Sequence, residues 1–413
     1  MTASVLFYVQ HLLGIGHLQR ALRIAEALVR NAVAVTLVSG GAPVALPRDQ
    51  AIRFVQLTPV RAKDARFELV DGHGKPIDDA LREDRRAALL DAFAMAQPDG
   101  VIIEGYPFAR RAFRFELEPL IAAVRAAQPR PRLICSVRDI VVMRDDPQRH
   151  RDIAQRVRRD FDAVLVHGDA AFIPFEASFP AAPEIADRVI YTGYVCPPPE
   201  AMPEVMPGAM SEAMPGGEIV VSAGGGAAGH ALLKAALAAR RSGCLAELPW
   251  RLITGNNLPE ADFAALCEDT PAKIVIERFC YNFVGLLRGC RVSVSQAGYN
   301  TVLDILAAHA RAVLVPFAAE RETEQLVRAE RLAALGAVEL VRESELSPGA
   351  LAAAIERAAA REPAMVAIDT DGAAKSARLI AAMLRPVENP GECLVKPSAE
   401  AFVAGASQGI IAR

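Results

Sequence analysis

The chain has 413 residues, of which 52% are hydrophobic and 23% are charged, and its formal net charge is -3. This length exceeds one ordinary core and suits two domains, and the near-neutral charge gives no reason to expect a nucleic-acid partner. The seven cysteines include no Cys-x-x-Cys pair, which argues against a zinc ribbon or a disulfide framework and favours the cytoplasm. We expect no signal peptide and no transmembrane helix, while peripheral contact with the inner face of a membrane stays open.

Short β-branched runs alternate with longer helical patterns in the first half of the chain, which is typical of parallel α/β folding. The first helix is predicted over 18–29, where apolar residues recur every three or four positions. The predicted strands of this half are residues 5–9, 33–38, 101–103, 133–135, 164–166 and 189–191.

Residues 196–217 interrupt this alternation with Pro-, Met- and Gly-rich sequence, which predicts a linker. The alternation then resumes, with strands predicted at 219–221, 252–253, 274–276, 292–294, 313–315 and 338–341. The sequence therefore predicts an α/β protein of two Rossmann-like, doubly wound parallel-sheet domains that face a cleft, over 1–195 and 218–385. The tail, 386–413, receives no assignment.

The first predicted strand is followed by a glycine loop that contains Gly14 and Gly16 and ends at His17. Glycines allow the backbone to turn tightly near a ligand, and a helix start offers free N–H groups to an anion. A near-neutral imidazole at this sheet edge could act as a general base toward a hydroxyl. The alternative is that His17 only caps the helix.

A second glycine loop, with Gly224, Gly225 and Gly226, follows the first strand of the second half. Three consecutive glycines favour close approach of the backbone to a phosphate, because each glycine costs chain entropy on folding. A simple turn is the alternative. The loop lacks the Gly-Lys-Ser/Thr ending of a Walker motif.

A third site follows the strand at 292–294, where a helix is predicted to begin near Asn300. The free amides of that helix start could hold a diphosphate, and Asp304, one turn inside, could accept two ribose hydroxyls. The residues predicted at this site are Gln296, Gly298, Asn300, Thr301 and Asp304. Alternatively, Ser295 or Asn300 is an ordinary N-cap, and Asp304 only complements the helix dipole.

These loops together resemble glycosyltransferase family 28. The resemblance rests on Gly-x-Gly-His at residues 14–17, the second glycine loop, and QAGYNTVLDILAAHARAVLVPF at 296–317 followed by ERETEQ at 320–325. It implies the two-domain fold called GT-B, a nucleotide-sugar donor whose nucleotide is expected to be UDP, and inverting transfer to a hydroxyl with no cofactor. The implied acceptor domain is 1–195, and the implied donor domain is 218–385.

The resemblance also implies roles for single residues. His17 corresponds to the proposed base, and Asp304 to a glutamate that binds the donor ribose. Glu324 and Gln325 correspond to a Gln-Gln pair that reads the donor sugar, and Cys280 lies where backbone groups contact the base. No metal ligand is implied.

Two departures concern the acceptor side. The chain lacks the arginine that the family has after a Gly-Asn-Pro-Val segment, because residues 193–197 read Gly-Tyr-Val-Cys-Pro. Arg138 and Asp139 replace part of the family's His-Glu-Gln-Asn motif, which predicts an acceptor other than the peptidoglycan precursor. The acceptor is expected to be a small or lipid-linked molecule.

Residues 106–115 mix aromatic side chains with Arg110, Arg111 and Arg114. This stretch could bind an anionic acceptor, a lipid phosphate or a membrane surface, or it could be a partly buried helix start. Residues 369–371 read Asp-Thr-Asp, for which helix capping is favoured over a metal clamp.

Three other functions remain open from the sequence. His167-Gly168-Asp169 is similar to a motif of nucleotide-sugar 2-epimerases, which share this fold. A non-catalytic nucleotide-sugar sensor is a second alternative. A dinucleotide-dependent oxidoreductase is a distant third, because no acidic residue is well placed after the first glycine loop.

Overall fold

A computed structural model of the protein describes residues 2–12, 15–44, 49–63, 68–141, 146–196, 217–224, 229–242, 244–256, 258–268, 270–317, 323–363 and 366–385. The predicted linker lies almost entirely outside these residues, and the tail 386–413 lies wholly outside them.

The first half of the chain forms a seven-stranded parallel sheet in the order β3-β2-β1-β6-β7-β8-β9. Its strands are β1 (Ser4–Val9), β2 (Ala34–Ser39), β3 (Arg53–Gln56), β6 (Gly100–Glu104), β7 (Arg132–Arg138), β8 (Ala163–His167) and β9 (Val189–Tyr191). A separate antiparallel hairpin consists of β4 (Val60–Ala62) and β5 (Leu69–Asp71).

The second half forms a six-stranded parallel sheet in the order β12-β11-β10-β13-β14-β15. Its strands are β10 (Ile219–Ser222), β11 (Trp250–Ile253), β12 (Ile274–Glu277), β13 (Val292–Ser295), β14 (Ala312–Leu314) and β15 (Glu339–Leu340). The predicted pair of doubly wound sheets is therefore confirmed.

Helices cover both faces of the sheets, which explains why the strands are nearly continuous apolar runs. Side chains of β1 alternate between two core clusters: Leu6 and Tyr8 lie in one, and Val5, Phe7 and Val9 lie in the other. The helices are α1 (Gly16–Arg30), α2 (Asp79–Ala96), α3 (Arg114–Ala126), α4 (Pro147–Asp160), α5 (His230–Arg241), α6 (Glu260–Glu268), α7 (Phe283–Gly289), α8 (Tyr299–Ala308), α9 (Glu324–Ala334), α10 (Pro348–Ala360) and α11 (Gly372–Leu384). None of these helices is long and apolar enough to cross a membrane.

The strand order reverses at one point in each sheet. In the first sheet the reversal lies between β1 and β6, and in the second it lies between β10 and β13. Connections on the two sides of such a point leave toward opposite faces, which opens a crevice at the carboxyl edge of the strands. Each sheet therefore offers one crevice where a ligand can bind.

Two features differ from the sequence predictions. The sequence analysis did not predict strands β3, β4 and β5, because these elements are short and none is a continuous apolar run. Helix α11, which the sequence assigned to the second domain, packs on the first sheet: Ala377 and Ile380 share a core cluster with Leu18 and Leu28 of α1. The end of the described chain therefore ties the second half back to the first.

Candidate functional site

His17 and Glu104 meet at the crevice of the first sheet. His17 is the second residue of α1, which follows β1, and Glu104 is the last residue of β6. Nδ1 of His17 lies 2.7 Å from Oε1 of Glu104. The His17 side chain retains 23% of its exposure, whereas that of Glu104 retains 2%. A buried carboxylate therefore holds a partly accessible imidazole at the sheet edge.

The chemistry of this pair fixes the protonation of the ring. A carboxylate can only accept a hydrogen bond, so Nδ1 of His17 donates its proton to Glu104 and Nε2 carries a lone pair. Desolvation lowers the pKa of His17 to about 3, although the attraction of Glu104 raises it. The imidazole is therefore neutral at ordinary pH, as a general base must be.

Three arginines surround the pair. Nη2 of Arg20 donates to Oε1 of Glu104 at 2.5 Å, and Nη2 of Arg110 lies 3.7 Å from Oε2. Burial raises the pKa of Glu104, but His17, Arg20 and Arg110 together bring it well below its usual range. The charges of Arg110 and Arg138 lower the pKa of His17 further. Glu104 is therefore ionised.

A buried ion pair beneath this site connects the neighbouring loops. Arg85 pairs with Glu116 at 2.7 Å, and both side chains are fully buried. The Arg85 guanidinium also donates to Gln10 after β1, to the carbonyl of Gly40 after β2 and to that of Thr58 after β3. One side chain thus fixes three loops at the carboxyl edge of the first sheet.

The start of α8, in the second half of the chain, lies against the start of α1. Gly298 is the N-cap of this helix, and no side chain of the described residues caps it. Ser295, a sequence candidate for the cap, is buried and hydrogen-bonds Ser293 instead. A Cβ placed on Gly16 would lie 2.9 Å from Nδ2 of Asn300, so the two helix starts approach closely. The first amides of α8, including that of Thr301, are thus left for a ligand.

Gly224 begins the second glycine loop and lies near Gln296, which precedes α8. Gly224 has φ +60°, a left-handed conformation that favours glycine, and a Cβ placed on it would lie 3.8 Å from Oε1 of Gln296. The Gln296 amide donates to the carbonyl of Ser222 at 3.3 Å. Gly14, Gly225 and Gly226, which the sequence also predicts as ligand-binding, lie outside the described residues.

Asp304 lies one turn inside α8. The charge of Arg23, on α1, is close enough to affect the pKa of the Asp304 carboxyl. Burial raises the pKa of Asp304 to about 6, and Arg23 opposes this rise. Arg23 itself donates to the carbonyl of Val195 at 3.3 Å. Asp304 is thus a partly buried carboxyl group whose ionisation is opposed by burial.

Cys280 lies in the loop after β12, between two exposed aromatic rings. Phe279 is 54% exposed and Tyr281 is 95% exposed. Their rings meet edge to face with centroids 5.0 Å apart. Burial raises the pKa of the Cys280 thiol, so the side chain remains protonated. Apolar rings on a loop at the carboxyl edge offer a flat surface to a ligand.

Glu324 and Gln325 open α9 and contact both sides of the cleft. Oε1 of Gln325 accepts from the amides of Ala297 and Phe317 at 3.0 and 3.1 Å, which fixes the segment before α8. Oε1 of Glu324 accepts from Nη1 of Arg138 at 2.8 Å. Arg138 is the last residue of β7, so this contact joins the two sheets.

Asp139, predicted on the acceptor side, has a different environment. Its carboxylate is fully buried and pairs with Arg328 of α9 at 3.0 Å, and it also accepts from the Tyr194 hydroxyl at 3.0 Å. These partners leave Asp139 no surface for an acceptor. The structure therefore corrects that prediction: Asp139 links the two halves of the chain.

The stretch 106–115 divides between core and surface. Tyr106, Phe108 and Phe113 are buried, which excludes them from an aromatic membrane surface. Arg110 turns inward to Glu104, whereas Arg111 and Arg114 line a separate cleft of 470 Å³ against α4. The structure thus brings Arg110 to the His17 site and places Arg111 elsewhere.

The side chains of two other sequence motifs are occupied by partners within the protein. His167 is fully buried, and its ring nitrogens contact Ser136 and Thr192 at 2.7 and 2.9 Å, so the epimerase-like motif is enclosed. Asp369 and Asp371 pair with Lys375 and Arg378 at the start of α11. Among the described residues, no group of three or more His, Cys, Asp or Glu side chains is arranged to hold a metal ion.

The sequence analysis missed Glu104, Arg20 and Arg328. A signal existed for Glu104, because it is a lone acid directly after the apolar run 101–103 and before a glycine. Such a residue falls at the carboxyl edge of a parallel sheet, where ligands bind. Arg20 and Arg328 look like ordinary helix-surface arginines in sequence, and only their partners distinguish them.

The glycosyltransferase family 28 C-terminal domain matches residues 219–383. Two curated relatives are both named UDP-N-acetylglucosamine–N-acetylmuramyl-(pentapeptide) pyrophosphoryl-undecaprenol N-acetylglucosamine transferase. The one from Brucella anthropi is 36% identical over 103 residues, which is 25% of this chain and 24% of the relative. The one from Phenylobacterium zucineum is 27% identical over 65% of this chain and 72% of the relative.

The fold extends the likeness over nearly the whole chain. The crystal structure of CalG4, the calicheamicin glycosyltransferase, superposes with a TM-score of 0.57 over 93% of this chain and 95% of its own, at 17% identity. The chain is a glycosyltransferase, and residues 219–383 match the C-terminal domain of family 28. The GT-B fold, expected from the resemblance, is confirmed, and the family match lies on the half that carries α8 and α9.

Proposed function

We propose that this glycosyltransferase moves a sugar from a nucleoside diphosphate, UDP by analogy with its curated relatives, to an acceptor hydroxyl with inversion at the anomeric carbon. The observation that carries the proposal is that two helix starts meet: α1 carries the neutral, carboxylate-held His17, and Gly16 beside it lies against Asn300 at the uncapped start of α8. A base on one wall and an anion site on the other are what such a transfer requires.

His17 is the proposed general base. Nε2 takes the proton of the acceptor hydroxyl as the oxygen attacks the anomeric carbon, and the bond from that carbon to the diphosphate oxygen breaks. Glu104, 2.7 Å from Nδ1, stabilises the imidazolium that forms and holds the ring in the required tautomer. Glu104 is therefore a positioning residue.

The leaving diphosphate gains negative charge as the bond breaks. In the proposal, the amides at the start of α8 and the dipole of that helix stabilise this charge, together with the loop at Gly224. No metal held by the protein is invoked. Closure of the cleft would exclude water, which otherwise hydrolyses the donor.

The rest of the donor is assigned to neighbouring side chains. Asp304 accepts the ribose hydroxyls, and backbone groups at Cys280 contact the base. Glu324 and Gln325 read the sugar. The position of these residues supports the assignments, because each lies near a helix start or on a loop at the carboxyl edge of the second sheet.

A thermal-shift panel of UDP-, TDP- and GDP-sugars tests the donor assignment. A ligand that binds only the folded protein raises the apparent stability by about 2.7 kcal/mol at 100 times its Kd. We expect UDP-sugars to raise the melting temperature more than the others. If no nucleotide sugar shifts the transition, the proposed function is wrong.

Replacement of Asp304 by asparagine is expected to stabilise the free protein and to weaken UDP binding. Burial raises the pKa of Asp304 to about 6, so the folded protein binds this proton more tightly than the unfolded chain. Stability from this group is therefore present at low pH and lost as the pH rises through 6. At about pH 7.5, Asp304→Asn should gain about 1–3 kcal/mol, and at about pH 4 it should gain little.

The measurements are melting temperatures at both pH values and UDP titration by calorimetry. The wild type should also lose UDP affinity as the pH falls below about 6, because a protonated carboxyl accepts hydroxyls poorly. Asp91→Asn, at an exposed position on α2, is the matched control. Unchanged UDP affinity in Asp304→Asn would contradict the ribose assignment.

A further inference from the structure

Arg138 connects the edge of the first sheet to the sugar-reading position on the second. Its Nη1 donates to Oε1 of Glu324 at 2.8 Å. Both residues depart from the family pattern: an arginine stands in the acceptor-side motif, and an acid replaces the first amide of the sugar-reading pair. The structure shows that the two departures contact each other, so they are complementary.

Glu324 is held in a defined orientation. Its side chain is 6% exposed, and Oε1 accepts from Arg138 and, at 3.0 Å, from Nη2 of Arg328. Among the described residues only Oε1 of Glu324 takes part in hydrogen bonds, which leaves Oε2 without a described partner. A carboxylate can only accept, so this oxygen requires a hydrogen-bond donor.

Arg138 is not needed merely to join the sheets. The fully buried pair Asp139–Arg328 already does so next to it. The Arg138 side chain retains 26% exposure, and its charge acts on His17. It therefore lies at the open edge of the contact with Glu324.

We propose that Arg138 is a positioning residue that sets donor-sugar specificity by aiming Glu324 at one hydroxyl of an uncharged sugar. The inference rests on the proposed function and deepens it. Because Arg138 belongs to the first sheet, Glu324 is correctly oriented only when the two sheet edges meet. Sugar recognition is thereby coupled to the approach of His17.

The test measures dissociation constants of UDP, UDP-glucose and the four monodeoxy UDP-glucoses by calorimetry. Loss of the hydroxyl that Glu324 reads should weaken wild-type binding by about 10-fold or more, because a buried carboxylate is left unpaired. In Arg138→Met this penalty should fall to about threefold or less, while the UDP dissociation constant changes by less than about threefold. Arg138→Lys should retain part of the penalty. Arg151→Met, an exposed arginine on α4 that contacts only Gln148 among the described residues, should retain all of it.

Glu324→Gln provides an independent arm if Arg138→Met folds poorly. It should lower the same deoxy penalty, and Arg138→Met/Glu324→Gln should lower it no further, because Arg138 acts through Glu324. A full penalty in Arg138→Met, or equal weakening of UDP and UDP-glucose, would show that Arg138 only holds the sheets together. A wild type that binds UDP but discriminates against no deoxy sugar overturns this proposal alone, whereas a wild type that binds neither overturns the proposed function as well.

Discussion

Replacement of His17 by alanine is expected to lower kcat by about 100-fold or more while the UDP dissociation constant stays within about twofold. The imidazole is neutral and its Nε2 carries the lone pair that would take the proton, whereas the proposed phosphate contacts come from α8. Removing the base raises the barrier to attack but leaves the donor site intact. Turnover is measured with a UDP-sugar and an acceptor found by screening, and UDP binding by calorimetry.

The Glu104→Gln variant tests the role of Glu104 in orienting His17 separately from proton transfer by His17 itself. The amide keeps the shape but cannot stabilise the imidazolium, and we expect a loss of about 10-fold to 1,000-fold in kcat, smaller than that of His17→Ala. His73→Ala, at an exposed histidine after β5, is the matched control and should keep full activity. Equal activity of His17→Ala and the wild type would remove His17 from the mechanism.

Replacement of Arg328 by methionine is expected to lower the free energy of unfolding by about 3–5 kcal/mol. The variant leaves the Asp139 carboxylate fully buried without its guanidinium partner, and the Tyr194 hydroxyl is its remaining polar partner among the described residues. An uncompensated buried charge costs more than the pair contributes when it is intact. The change is read from guanidinium denaturation of wild type and variant under the same conditions.

A second substitution tests whether the uncompensated charge is the cause. Arg328→Met/Asp139→Leu removes both charges and should recover part of the loss, because no lone buried ion remains. Arg82→Met breaks the exposed pair Arg82–Asp79, whose side chains are 40% and 98% exposed, and should cost less than about 1 kcal/mol. If Arg328→Met costs no more than Arg82→Met, the buried pair does not hold the two halves together.

The elements that the sequence predicted well are those with long, periodic apolar patterns. The six strands predicted in the second half all occur, and α1 (Gly16–Arg30) extends the predicted 18–29 by a residue or two at each end. Strands buried on both faces must be apolar throughout, so their signal is local. The edge strand β3 has half-exposed side chains, and its sequence carries no such signal.

The proposed donor half of the site was also predicted from local features of the sequence. Glycines after β10 and the run that opens α8 are local features, because a turn and a helix start depend on neighbouring residues. Glu324 and Gln325 were predicted as well, through the resemblance. Their partners were not, because a helix start does not reveal which side chain lies opposite.

The sequence by itself therefore determined two parallel α/β units, the glycine loops and His17 at a sheet edge. Only the tertiary structure decided which charges meet. Glu104 lies 87 residues from His17, and Asp139 lies 189 residues from Arg328. The first pairing follows from β1 and β6 being neighbours across the reversal of strand order, and the second from the contact between the two sheet edges. Both depend on topology, because the energy of an ion pair is set by distance and burial rather than by separation along the chain.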